Sequence, residues 1–134
     1  MPIDAIDHVN IRTDDVEGTA RFFAEVLEME IRETPGIPDR RKAAWLCDAE
    51  GRPVIHLGTG DVLYPWENSG AIAETGSGRI HHVALRCTGY DTLCARLEAQ
   101  GRAYNVNAIP EAGLRQLFIE EPNGITFELN FFGV

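Results

Sequence analysis

Apolar and polar residues follow two different periods along this chain, and the switch between them occurs twice. Ile6-Asp7-His8-Val9-Asn10-Ile11 carries the period of two expected of a strand. Phe22, Phe23, Val26 and Leu27 then recur at helical spacing, with Asp14 or Asp15 as the N-cap and an end near Glu28. Strand-like runs follow at 29–33, 42–48 and 53–57. Ile80-His81-His82-Val83-Ala84-Leu85 restarts the pattern, with His82 standing 74 positions after His8. A helix capped by Asp91, carrying Leu93, Leu97 and Ala99 and stopped by Gly101, precedes strands at 103–107, 114–120 and 125–131. Glu50-Gly51-Arg52-Pro53 and Glu121-Pro122-Asn123-Gly124 are the matching turns before each last strand. Each copy therefore reads βαβββ, and the fold class is α+β.

A length of 134 residues with 44% apolar content fits one domain built from two modules, 1–58 and 79–134. Residues 59–78 form a glycine-rich linker that reads equally as a disordered stretch or as a functional cover, in which case its Tyr64-Pro65-Trp66 cluster suits a lid or a substrate contact.

Strand parity separates packing from chemistry. Val9 and Ile11 take the apolar face of the first strand, so His8 and Asn10 point the other way. In the second copy Val83, Leu85 and Cys87 face the helix, as does His81, leaving His82, Ala84 and Arg86 opposite. Ile55 and Leu57 mirror Phe127 and Leu129, so His56 mirrors Glu128 on the face away from the helices, with Asn130 beside it. If two curved half-sheets face each other, His8, His56, His82 and Glu128 gather around one cavity. Three imidazoles and a carboxylate suit iron(II), manganese, nickel, cobalt or zinc, and leave coordination positions open for a substrate. Arg115 and Gln116 alternate along the seventh strand, so one of them points inward. Asn10, Arg86, Asn130 and that residue are the candidate substrate contacts.

Charge and cysteine content narrow the partners. A net charge of −9 has the wrong sign for nucleic acid. No apolar run reaches the roughly 18 residues of a membrane span, and no basic-then-apolar leader opens the chain, so a cytoplasmic protein is expected. Cys47, Cys87 and Cys94 are odd in number without CxxC spacing, which predicts reduced, packed thiols.

IDHVNIRT with DVEGTARFFAEVLEM, RPVIHLG, RIHHVALRC and the closing LFIEEPNGITFELNFF resemble the vicinal oxygen chelate superfamily of glyoxalases, epimerases, extradiol dioxygenases, and fosfomycin- and bleomycin-resistance proteins. The resemblance spans essentially the whole chain. It implies paired modules forming an open eight-stranded barrel-like sheet, with a divalent metal in its cavity held from the first and last strands of each module. His8, His82 and Glu128 match ligand positions. His56 stands at the fourth, where glyoxalase-like lyases usually have glutamate and epimerases glutamine, and so is a ligand or a nearby base. His56 and Glu128 are the candidates for proton transfer.

The resemblance implies a metal-dependent enzyme on a small substrate with adjacent oxygens, either an isomerase or lyase or a ring-cleaving oxygenase. The alternative is a non-catalytic protein that sequesters a small molecule, as bleomycin-resistance relatives do. Open sheet edges and exchangeable modules favour a homodimer.

Overall fold

The computed structural model describes residues 4–63, 67 and 76–133. The linker cluster Tyr64-Pro65-Trp66 lies outside them. The chain divides into two compact units, residues 1–72 and 73–134.

In the first unit β1 (Val9–Arg12), α1 (Val16–Leu27), β2 (Glu30–Arg32), β3 (Ala43–Cys47) and β4 (Pro53–Gly58) form a sheet in the order β1-β4-β3-β2. β1 runs parallel to β4, and the other pairs are antiparallel. Asp15 is the cap of α1: its carboxylate accepts from the Gly18 amide at 2.9 Å. The helix stops at Glu28, whose left-handed φ of 57° turns the chain into β2. Its stripe of Val16, Ala20, Phe22, Phe23 and Val26 is buried, and α1 packs mainly on β3. Ile11, Leu46, Ile55 and Leu57 supply the buried side of the sheet.

The second unit repeats the plan with β5 (Val83–Arg86), α2 (Tyr90–Ala99), β6 (Asn105–Ile109), β7 (Leu114–Glu120) and β8 (Thr126–Phe132), ordered β5-β8-β7-β6. A single 3-10 turn, Pro110–Ala112, joins β6 to β7. Leu93 and Leu97 of α2 are buried, as are Leu117, Ile119, Phe127, Leu129 and Phe131 of the sheet. The eight strands thus belong to two hydrogen-bonded sheets of four rather than to one eight-stranded sheet, and neither sheet closes on itself.

Three local expectations need correction. Asp91 is not the cap of α2: Gly89 holds that position at φ 85°, and Asp91 falls in the first turn, where its charge still complements the helix N-terminus. Ala99 is exposed because, two residues on from the fully buried Leu97, it stands on the other side of the helix. β6 begins two residues later than its apolar pattern suggests, and all five of its residues are exposed, as an edge strand allows.

The turn before each last strand is tied by a carboxylate. In the first unit Asp48 accepts from the amides of Glu50 and Arg52 at 3.0 and 2.9 Å, and from Arg52 Nε at 2.8 Å. In the second, Glu121 does this job from a buried position. The Arg52 amide and guanidinium hold the Asp48 carboxyl below its ordinary range. A group with a depressed folded pKa stabilises the fold above its unfolded pKa, near 3.8, and loses that contribution as pH falls through the folded value. Asp48→Asn is therefore expected to cost about 1 kcal/mol at neutral pH. The deficit should close toward pH 3, as urea midpoints at the two pH values would show.

All three cysteines are free thiols: Cys47 is buried, burial pushes the Cys87 thiol up to about 11, and Cys94 is half-buried. No helix among the described residues is long and apolar enough to cross a membrane.

Candidate functional site

In the first unit the face opposite α1 carries a stack of three rings. β1 and β4 place Asn10 beside His56, and β3 places Trp45 on its other flank. His8, immediately before β1, lies over the His56 ring at 3.7 Å between centroids and 11° between planes. Trp45 covers the opposite side at 4.6 Å. A carbonyl can only accept, so His56 donates its Nε2 proton to Pro53 O at 3.0 Å. Burial, followed by the neighbouring His8, lowers the His56 pKa, so its neutral ring carries the lone pair on Nδ1. His8 shows the opposite tautomer. Its Nδ1 donates to the Asp7 carboxylate at 2.7 Å, which leaves Nε2 as the lone-pair nitrogen of the neutral ring.

A cavity of about 270 Å³ opens on this face, lined by Asn10, Arg12, Thr34, Trp45, His56 and Leu63 among others. Arg12 holds Glu67 through two bonds of 2.7 Å and also donates to Val62 O at 3.1 Å. Thr34 Oγ1 is buried at the cavity without a hydrogen-bond partner among the described residues.

In the second unit His82, just before β5, sits against Glu128 of β8, with Nε2 and Oε1 3.5 Å apart. Two donors each roughly 2.0–2.2 Å from a tetrahedral ion stand about 3.4 Å apart. The imidazole and carboxylate of this pair therefore fit a divalent cation in both chemistry and spacing. His82 Nδ1 shares a hydrogen bond with His81 Nδ1 at 2.9 Å, so His81 reaches the site side rather than packing under the helix. Asn130 donates to the other oxygen of Glu128 at 3.0 Å, and Gln116 donates to Asn130 at 3.0 Å.

The alternation at Arg115 and Gln116 resolves in favour of Gln116. Arg115 lies over the Tyr90 ring at 3.6 Å on the helix side, whereas Gln116 is buried opposite. Arg86 lies over Phe132 at 4.5 Å, on the face shared by Glu128 and Asn130. The four expected metal donors divide evenly, His8 with His56 in one unit and His82 with Glu128 in the other. Among the described residues no three His, Cys, Asp or Glu side chains form a metal cluster.

Sequence reasoning passed over Arg12, Trp45, Asp7, Thr34 and Asn107. Arg12 shares the parity of His8 and Asn10 and was accessible to the same argument, whereas Trp45 meets His56 only through the β3–β4 register. The Arg12 partner, Glu67, lies in the linker, where no periodicity points to it.

A family model described as the Glyoxalase/Bleomycin resistance protein/Dioxygenase superfamily matches residues 5–129. No curated protein matches the chain. Among solved structures, an integron cassette protein from V. cholerae has a TM-score of 0.72 at 17% identity, covering 98% of each chain. A lactoylglutathione lyase from Agrobacterium tumefaciens has a TM-score of 0.68 at 18% identity, covering 98% of this chain and 96% of the other. TnmS3, an antibiotic binding protein from a Streptomyces species, has a TM-score of 0.64 at 20% identity, covering 98% of each. These likenesses concern the fold.

Proposed function

Since the chain belongs to the Glyoxalase/Bleomycin resistance protein/Dioxygenase superfamily, we propose that it is a divalent-metal-dependent enzyme acting on a small substrate with vicinal oxygens. His8, His82 and Glu128 are its metal ligands, and His56 is a fourth ligand or the nearby base. The observation that carries this reading is the His82–Glu128 pair, whose 3.5 Å spacing and mixed nitrogen and oxygen donors suit iron(II), manganese, nickel, cobalt or zinc. The ion, when bound, supplies Lewis acidity to adjacent substrate oxygens.

The chain's own groups do the rest. Asp7 fixes the His8 tautomer, and Asn130 holds one Glu128 oxygen, leaving the other toward His82. His56, kept neutral by burial between two rings, can take up a proton at Nδ1. Trp45 and Leu63 give the cavity apolar walls, while Asn10 and Arg86 remain candidate substrate contacts. On this reading the chain works as a cytoplasmic homodimer.

The cavity beside Trp45 also favours a second reading, a binder that holds a planar small molecule without metal. Metal content separates the two. Untagged protein purified without chelators, then reconstituted anaerobically with each of the five ions, is expected to hold close to one ion per chain and to bind a hydroxamate only when loaded. Failure to retain any ion, with tight metal-free binding of a planar ligand, would leave the sequestering protein as the function.

A further inference from the structure

We propose that Gln116 is a positioning residue for Glu128, acting through Asn130 in a one-directional relay of side-chain amides that starts at Asn107. The relay itself is a feature of the second sheet; its consequence for metal rests on the reading of Glu128 as a ligand.

Three consecutive bonds define it: Asn107 Nδ2 to Gln116 Oε1 at 2.8 Å, Gln116 Nε2 to Asn130 Oδ1 at 3.0 Å, and Asn130 Nδ2 to Glu128 Oε2 at 3.0 Å. The sheet register builds it. Asn107 lies opposite Gln116 in the β6–β7 ladder, Gln116 lies opposite Asn130 in the β7–β8 ladder, and Asn130 and Glu128 are two apart on one face.

The direction follows from its terminus. An ionised carboxylate can only accept, so Asn130 must turn its NH2 group to Glu128 and its oxygen to Gln116. Gln116 must then present NH2 to Asn130 and its oxygen to Asn107. Each amide orientation is thereby set by the charge at the end of the line. Gln116 is only 7% exposed, and a buried amide is tolerable where both its ends are bonded, as they are in this relay.

The consequence lies at Glu128. A terminal carboxylate turns broadly about its last torsion. With Oε2 committed to Asn130, the plane is fixed and Oε1 is the oxygen left facing His82 Nε2. Outer partners of this kind typically account for about 10- to 100-fold in metal affinity.

The test uses the full chain, with Gln116→Leu removing both bonds at similar shape and Gln116→Glu replacing the donor toward Asn130 by an acceptor. In metal-free protein, Glu128→Ala should shift the side-chain 1H–15N amide signals of Gln116 as well as Asn130, although the hydrogen bonds of Gln116 go to Asn107 and Asn130. Unmoved Gln116 signals would overturn the relay. With cobalt(II) alone as probe, both Gln116 variants should bind more weakly by up to about 10-fold, the lower end of what a direct outer partner supplies, since Gln116 acts through Asn130. The absorption band of the bound ion should also change in Gln116→Glu, while the metal-free melting temperature of Gln116→Leu stays within a few degrees. Wild-type affinity and an unchanged band would overturn the positioning role, and a role in folding alone would move only the melting temperature. If the wild-type chain takes up no cobalt, the metal-enzyme reading fails, and the amide signals still decide the relay.

Discussion

Glu128→Ala is expected to lower cobalt(II) affinity by more than about 100-fold, beyond the loss of any outer partner, and to leave the protein folded, if Glu128 is the proposed ligand. The side chain stands on β8 between Phe127 and Leu129, both fully buried, so the strand keeps its anchors when the carboxylate is cut back. Only about a sixth of the Glu128 side chain is exposed, so its removal takes away a desolvated charge as well as a donor atom. His82 then loses its carboxylate neighbour, and Asn130 loses the acceptor that orients it. Glu128→Gln should lie between the two, because a neutral amide oxygen remains a donor but a weaker one. Calorimetric titration of chelator-treated protein measures the affinities, and urea midpoints check the fold. An affinity for Glu128→Ala within a few-fold of wild type would remove Glu128 from the ligand set.

The parts of the fold that local chemistry dictates were legible in the residues. Asp15 had a glycine amide within reach and a helical stripe behind it, and the strand alternation at 53–57 and 125–131 set His56 and Glu128 opposite the packed faces. The cap of α2 was not legible in the same way. Asp91 has the side chain of a cap, but Gly89 reaches the left-handed conformation that turns β5 into the helix, and backbone geometry prevailed over side-chain preference. Pairings set by sheet register were harder still. Nothing local to Asn107, Gln116 and Asn130 links them until β6, β7 and β8 align, and the covering of His56 by Trp45 depends on the β3–β4 register. The donor set illustrates the same divide, since parity chose its members while only the fold supplied the 3.5 Å between His82 and Glu128.

Glu121→Ala is expected to cost about 3 kcal/mol or more in unfolding free energy, well beyond the loss expected for the half-buried Asp48 carboxylate at the equivalent turn. The Glu121 carboxylate is 2% exposed and accepts from the Asn123 amide at 2.7 Å, the Ile125 amide at 3.0 Å and Asn123 Nδ2 at 2.8 Å. Alanine leaves the Ile125 amide without its acceptor in buried surroundings, and each such orphan costs about 1–3 kcal/mol. Glu121→Gln should cost roughly half as much, because its remaining oxygen can still serve the two main-chain donors. The turn matters beyond stability. It sets where β8 begins, and a slip of one residue would carry Glu128 to the helix side of the sheet. If the turn acts by holding this register, Glu121→Ala molecules that remain folded at low temperature should bind cobalt(II) more weakly than wild type, whereas a role in stability alone would lower affinity only as the unfolded fraction grows. Urea titrations at several temperatures, paired with cobalt binding, separate the two effects. A wild-type urea midpoint for Glu121→Ala would show that other contacts fix the turn.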